Sequence, residues 1–191
     1  LLDLLAKRRA SAASIADEAL VVCELAAVLE KLDRAEEGLS ALLDILMRVP
    51  DSAEAHTLAR GLAARLGKAA TYLDTVTGAA DKLRRADDSS CLADLLLRAA
   101  DVAENDLKLL DRAQGYLRRA EQTGRRGAEV LGTLARVAAA TGDAAECGRA
   151  VAGLQRLAEQ ASSFAEKGDL YYRLAEVQVA SAETREAGLD A

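Results

Sequence analysis

The sequence predicts an all-α protein, and the first observation behind this prediction is composition. Alanine (43 residues) and leucine (32 residues) supply 75 of the 191 residues, and both have a high intrinsic preference for helices. Valine and isoleucine number only 13 and aromatic residues make up 3%, so a sheet would lack the side chains that usually cover its faces. With 51% apolar residues and one proline, the chain is neither disordered nor collagen-like.

The second observation is periodicity. Between breaks, apolar residues recur at three- and four-residue spacing, which is typical of helices with one buried face. Asp33 separates the first two long segments, and Pro50 ends the second because its ring clashes with the preceding turn. Gly67, Asn105 and Gly142 mark later breaks. The predicted helices cover residues 2–10, 14–32, 34–48, 53–66, 69–85, 90–104, 107–123, 128–141, 144–161, 169–181 and 184–190.

The short connections between these segments predict how they pack. Helices joined by only a few residues lie antiparallel to each other. A single pair of helices cannot bury both sides of its apolar stripes unless another pair stacks on it. We therefore predict about five antiparallel helix pairs stacked along the chain, as in an α-solenoid.

A repeated dipeptide gives the interval between pairs. Leucine followed by alanine occurs in the first helix of each pair, at spacings of 33, 34, 42 and 40 residues. The copies that give this interval are Leu25-Ala26, Leu58-Ala59, Leu92-Ala93, Leu134-Ala135 and Leu174-Ala175. This interval resembles that of the tetratricopeptide repeat (TPR), a helix pair of about 34 residues.

Residues 19–52 carry the resemblance to the TPR family most completely. They contain Leu25, Ala26, Leu29, a turn at Asp33, the small Gly38, Leu42, Ile45 and a closing Pro50. Residues 128–161 are similar, with Cys147 at the position of Gly38. The resemblance implies a right-handed solenoid in which the small residue lets the two helices of a unit approach closely. The longer later intervals also fit another kind of α-solenoid.

The resemblance also implies a division of the chain. Residues 1–13 are expected to be the end of a preceding helix or a capping segment, and residues 14–191 the helical-repeat domain. The expected units are residues 19–52, 53–86, 87–127, 128–165 and 166–191.

Charge and cysteine content exclude several classes of function. The formal net charge of −6 opposes binding to nucleic acid or to an anionic membrane. The basic pairs Arg84-Arg85, Arg118-Arg119 and Arg125-Arg126 are interpreted as solvated helix ends. Cys23, Cys91 and Cys147 are odd in number and far apart, so we expect small buried side chains instead of disulfides or a zinc site.

No motif indicates catalysis. Gly61, Gly67 and Lys68 imitate a phosphate-binding loop, but their spacing is wrong and Ala69 replaces the metal-binding hydroxyl. The single histidine, His56, has no second ligand near it in sequence and is expected on the surface or in a groove. Adjacent carboxylates such as Glu36-Glu37 and Asp87-Asp88 point in different directions on a helix. We therefore predict a non-enzymatic protein with no catalytic residue, metal or cofactor.

The resemblance to TPR proteins implies a partner protein or peptide bound in a concave groove lined by the first helix of each unit. The groove residues expected to bind are Lys31, His56, Arg60, Arg98, Arg136, Tyr172 and Glu176. Side chains expected beside them are Cys23, Glu30, Ser90, Asp94, Glu129 and Asp169. Because the central groove is basic, an acidic partner is the first hypothesis, and the alternative is that these charges pair with their neighbours.

A structural role is the second functional hypothesis. In it, exposed apolar side chains at the ends, such as Leu1, Leu2, Leu4 and Leu5, seal against another copy and make the domain an element of a homo-oligomer. A cytoplasmic location is expected, because Lys7 and Arg8 follow the apolar start instead of preceding it as in a signal peptide. The initial leucine suggests a fragment of a longer protein.

Overall fold

The structure, a computed structural model, describes residues 1–83 and 88–189, with side chains described as far as residue 179. Over these ranges the chain is helical and has no strand, which confirms the all-α prediction. The helices are α1 (Leu2–Ala10), α2 (Ile15–Lys31), α3 (Ala35–Leu46), α4 (Ala53–Arg65), α5 (Ala69–Lys82), α6 (Ser89–Asp101), α7 (Leu110–Gln122), α8 (Gly127–Thr141), α9 (Ala144–Gln160) and α10 (Phe164–Leu189). Arg84, Arg85 and Asp87 lie outside the described residues.

The ends of the helices follow from local chemistry. Ser14 caps α2 by accepting a hydrogen bond from the Asp17 amide at 3.0 Å, and Asp143 caps α9 in the same way with the Glu146 amide. Gly67 and Gly142 have positive φ at the turns after α4 and α8, a conformation that glycine adopts at little cost.

Several of the predicted boundaries are wrong. α10 is one continuous helix where a break near residues 182–183 was expected, because that stretch contains no glycine or proline to stop a helix. It also begins earlier than expected, since the Ser163 hydroxyl caps it by accepting from the Glu166 amide at 3.1 Å. The predicted helix 90–104 ends as α6 at Asp101 and continues as a π-helical segment, Val102–Asp106.

Helices pack mainly against near neighbours along the chain. Each helix contacts the next, and α2 with α4, α3 with α5, and α8 with α10 also contact each other. One apolar core extends through these contacts from Ala19 to Val177. The part of the chain that the structure describes is therefore a set of helices packed in neighbouring pairs. None of its helices combines the length and apolarity needed to cross a membrane.

Most alanines of the repeated dipeptides are buried in the core. Ala26, Ala59, Ala93 and Ala135 are fully buried, whereas Leu25, Leu58 and Leu92 are only half-buried. A Cβ added to Gly38 of α3 would lie 3.2 Å from both Cα and the carbonyl oxygen of Ala26 in α2. The small residues therefore let these two helices approach to backbone contact, as expected from the sequence.

Candidate protein-binding face

Two clefts are lined by first helices of the later pairs. The larger one, here called the central cleft, has a volume of about 300 Å³ and lies between α4, α6 and the start of α8. Its lining residues are Arg60, Asp94, Leu97, Arg98, Asp101, Arg126 and Glu129. The end cleft, of about 60 Å³, lies between α8 and α10. Its lining residues are Gly132, Thr133, Arg136, Arg173, Glu176 and Val177.

Four of the seven expected groove residues line these clefts, two in each. Arg60 and Arg98 line the central cleft, together with Asp94 and Glu129, which were expected beside them. Arg136 and Glu176 line the end cleft. Lys31 and Tyr172 are exposed but line neither cleft. The expected groove residues are thus divided between two clefts, α2 lines neither of them, and binding at either cleft stays a prediction.

Two arginines of the central cleft are already paired within the chain. Arg60 of α4 donates through Nε to Asp106 at 3.0 Å and also binds Asp101. Arg126 donates to Asp94 at 2.6 Å and to Glu129 at 3.0 Å. Each guanidinium thus has two carboxylate partners, and the bonds to Asp101 and Asp94 join helices from neighbouring pairs. Arg60 and Arg126 therefore fit the alternative stated above, in which the groove charges pair with neighbouring side chains.

Arg98 differs from these two arginines. It lies on α6, is half-buried, and has no carboxylate within ion-pairing distance among the described residues. Burial is the main cause of the shifted pKa values of His56, which is lowered, and of Tyr72, which is raised; the positive charge of Arg98 adds to the first shift and opposes the second. Among the described residues that line the central cleft, Arg98 is therefore the cation available to an external anion.

Arg136 is paired through the π-helical segment. Glu104, in the middle of that segment, is 8% exposed and binds the Arg136 guanidinium of α8 through both carboxylate oxygens, one of them at 2.9 Å. The same segment supplies Asp106 to Arg60 of α4. The wider π turn thus places carboxylates toward the helices on either side, and a π turn inside a helix is often found at functional sites.

The expectation that His56 lies on the surface or in the groove is wrong. His56 is 1% exposed, and its Nε2 lies 2.9 Å from the carbonyl oxygen of Pro50. Because a carbonyl only accepts, Nε2 carries the proton and Nδ1 accepts from the Tyr72 hydroxyl at 2.9 Å. Burial lowers the pKa of His56 and raises the pKa of Tyr72 to about 12. Both side chains are therefore neutral members of the core.

The cysteines are free thiols at the described positions. Cys23 is buried, as expected for a small apolar residue, and so does not face a groove. Cys91 and Cys147 are half-buried against the core. Burial raises the pKa of the Cys23 thiol to about 11, which keeps it protonated and unreactive.

The remaining sequence motifs have structural partners. Lys68, after the turn that follows α4, donates to Glu36 of α3 at 2.8 Å, and Glu37 accepts from Arg34 at 2.7 Å. Gly67 and Lys68 therefore form the junction between α4 and α5. Within the described ranges, no group of three or more histidine, cysteine or acidic side chains is arranged to hold a metal ion.

The sequence analysis missed the carboxylates that bind the groove arginines. Asp101, Glu104 and Asp106 belong to the end of α6 and the π segment, whose wider turn is not readable from apolar spacing. The sequence does contain a signal for these ion pairs, because the opposite charges are separated by about the length of one helix-pair unit. Arg136 and Glu104 are 32 residues apart, as are Arg126 and Asp94.

Comparison of the chain with models of known protein families, with curated proteins and with solved structures finds no match. Function is therefore inferred from the geometry of the two clefts and the charges in them.

Proposed function

We propose that this chain is a non-enzymatic, TPR-like α-solenoid that binds a segment of a partner protein along the face formed by α4, α6 and α8. The observation that carries the proposal is the central cleft with Arg98 in it. A partially buried arginine without a carboxylate is a favourable site for an acidic side chain of a partner, because a guanidinium binds a carboxylate through two parallel hydrogen bonds.

The paired arginines define the remainder of the proposed site. Arg60 and Arg126 each form ion pairs with two carboxylates. In the proposed site, these pairs hold the walls of the cleft in place. Leu97 provides apolar surface beside Arg98. A partner segment that places one acidic residue next to an apolar residue matches this arrangement, since buried apolar contact and a paired charge together favour binding.

Charge reversal at Arg98 tests this function. The chain, its Arg98→Glu variant and its Arg156→Glu variant are used as baits in a lysate of the source organism. Arg156 is an exposed arginine of α9, outside the central cleft, and serves as the matched control. Arg60 and Arg136 are unsuitable, because their reversal would break pairs within the chain.

We expect a protein that the wild-type and Arg156→Glu baits retain and the Arg98→Glu bait loses. Titration of that purified protein should then give at least about a tenfold weaker Kd for Arg98→Glu, equivalent to about 1.4 kcal/mol. Equal recovery of every captured protein by all three baits would refute binding at Arg98.

A further inference from the structure

The end cleft contains a carboxylate that is not paired within the described part of the chain. Arg136 of this cleft is bound by Glu104. Arg173 donates through Nε to Asp169 at 3.0 Å. Glu176 is exposed and has no cation within ion-pairing distance among the described residues. Among the charged residues that line the end cleft, Glu176 is therefore the one open to an external cation.

Tyr172 lies one helical turn before Glu176 and adds a second group suited to a cation. Side chains four residues apart on a helix have their Cβ atoms about 5–6 Å from each other, and Tyr172 is 64% exposed. The face of a tyrosine ring attracts the cationic group of lysine or arginine, and a carboxylate accepts strong hydrogen bonds from the same group. The two side chains can therefore contact one cation together.

One side of α8 borders both clefts. Glu129 lines the central cleft, and Thr133 and Arg136 line the end cleft. These positions are four and three residues apart, so they lie on the same side of the helix. The two clefts therefore open on one side of α8, and a single extended segment can cross this helix from one cleft to the other.

The separation of the two unpaired charges sets the length of such a segment. α8 borders the central cleft opposite α6, which carries Arg98, and the end cleft opposite α10, which carries Glu176. Packed helices lie about 8–10 Å apart, so two steps between helices amount to roughly 20 Å. An extended chain advances about 3.3 Å per residue and covers this distance in about six residues.

We propose that the partner segment carries two opposite charges, an acidic residue bound by Arg98 and, about six residues away, a lysine or arginine bound by Glu176 and Tyr172. This inference rests on the proposed function, because the acidic residue is the one that Arg98 binds there. The second contact fixes the direction in which the segment lies across α8, since the reverse direction would bring like charges together.

The apolar start of the chain takes no part in this site. Leu5 of α1 is buried and Leu2 is half-buried, which corrects the expectation that both are exposed, whereas Leu1 and Leu4 are exposed. None of these leucines lines either cleft. The charge pattern of the partner is therefore independent of the homo-oligomer hypothesis.

Selection from a displayed library of random peptides, each long enough to cross both clefts, tests the charge pattern. The baits are the wild-type chain, Arg98→Glu, Glu176→Lys and Glu159→Lys. Glu159 is an exposed carboxylate of α9 that lines neither cleft, so its variant is the matched control for Glu176→Lys. Circular dichroism verifies that each bait is folded.

Peptides enriched by the wild-type bait should carry an acidic residue and, about six positions away, a basic one. In titrations followed by fluorescence anisotropy, Glu176→Lys should weaken the Kd of such a peptide by about fivefold, as expected for a partly exposed ion pair. Glu159→Lys should leave the Kd unchanged. Replacing the basic residue of the peptide with glutamate should restore binding to Glu176→Lys but not to Arg98→Glu.

The outcomes separate this inference from the proposed function. Enriched peptides with an acidic residue that depends on Arg98, but with no basic residue at a fixed distance, would overturn this inference alone. An equal Kd for the wild type and Glu176→Lys, or an equal loss with Glu159→Lys, would also overturn it alone. Peptides that bind Arg98→Glu as tightly as the wild type, or a wild-type bait that enriches no sequence, would refute both.

Discussion

The close approach of α2 and α3 can be tested by making the same substitution at two helical glycines. Gly38 lies in α3, where an added Cβ would be 3.2 Å from the Ala26 backbone. Gly148 lies in α9, is exposed, and an added Cβ would meet nothing within 4 Å. Both substitutions to alanine improve helix propensity by about 1 kcal/mol, so any difference between them reports the packing of the site.

The expected magnitudes follow from these contacts. Gly148→Ala should stabilise the protein by about 1 kcal/mol, since only the propensity changes. At Gly38 the new methyl group meets backbone atoms, which cannot rotate away, so α2 and α3 must separate by a few tenths of an ångström. Overpacking of this kind costs about 1–3 kcal/mol. Gly38→Ala should therefore be neutral or destabilising, by up to about 2 kcal/mol.

Urea and thermal unfolding, followed by circular dichroism, measure both variants against the wild type. In a protein of this size, 1 kcal/mol corresponds to a Tm change of about 2–4 °C. The two variants should shift Tm in opposite directions, or Gly38→Ala should leave it unchanged. An equal stabilisation by both substitutions would refute the backbone contact between α2 and α3.

Three further predictions concern the interior and the π segment. Arg136→Gln leaves the nearly buried Glu104 without its cation and should lower the free energy of unfolding, measured in urea, by about 1–3 kcal/mol. The cost is smaller than for a fully buried pair because Arg136 is partly exposed. Adding Glu104→Gln to the same chain should recover part of the lost stability. Tyr72→Phe removes the hydrogen bond to His56 Nδ1 and should cost about 1–2 kcal/mol in the same assay. Because burial lowers the pKa of His56, the unfolded chain binds a proton on this residue more readily than the folded chain does. The stability from neutral His56 is therefore complete above the unfolded pKa near 6.5 and falls as pH drops from 7.5 to 5.5. Tm measured over this range should fall less in His56→Gln than in the wild type, and an unchanged slope of Tm against pH would contradict the assignment.

The ion pairs of Glu146 contribute stability over a different pH range from that of His56. Arg149 and Arg118 lower the pKa of Glu146 to about 2, so the stability from these pairs is present above the unfolded pKa near 4.5 and disappears as pH falls toward 2. This range lies below that of His56, and the two contributions to pH dependence can therefore be measured separately.

The helices and their order could be predicted because local signals agree with the tertiary structure. Pro50 and the glycines at 67 and 142 end helices through backbone geometry alone. The buried alanines of the repeated dipeptides could also be placed on one side, since helical spacing fixes which residues share a face.

The features that could not be predicted from the sequence depend on distances between helices. His56 has no sequence feature that separates a groove histidine from a buried one, and its position is set by Pro50 and by Tyr72, 16 residues away. Leu25 belongs to the strongest repeat signal but is half-buried, whereas the adjacent Ala26 makes the close contact. Similarly, the pairing of Arg60 could not be foreseen, because its partners lie 41 and 46 residues further along the chain, at and after the end of α6.

The ion pairs that join helices two steps apart have a consequence for cooperativity. Arg65 with Glu30, Lys68 with Glu36, and Arg119 with Asp81 each connect one helix pair to the next. Where helix pairs pack mainly on their neighbours, such bonds contribute to the coupling between pairs and not to the internal stability of either pair. These charges are partly exposed, so salt screens them. Added salt should therefore broaden the unfolding transition as well as shift it, because pairs that unfold together at low salt would begin to unfold one by one.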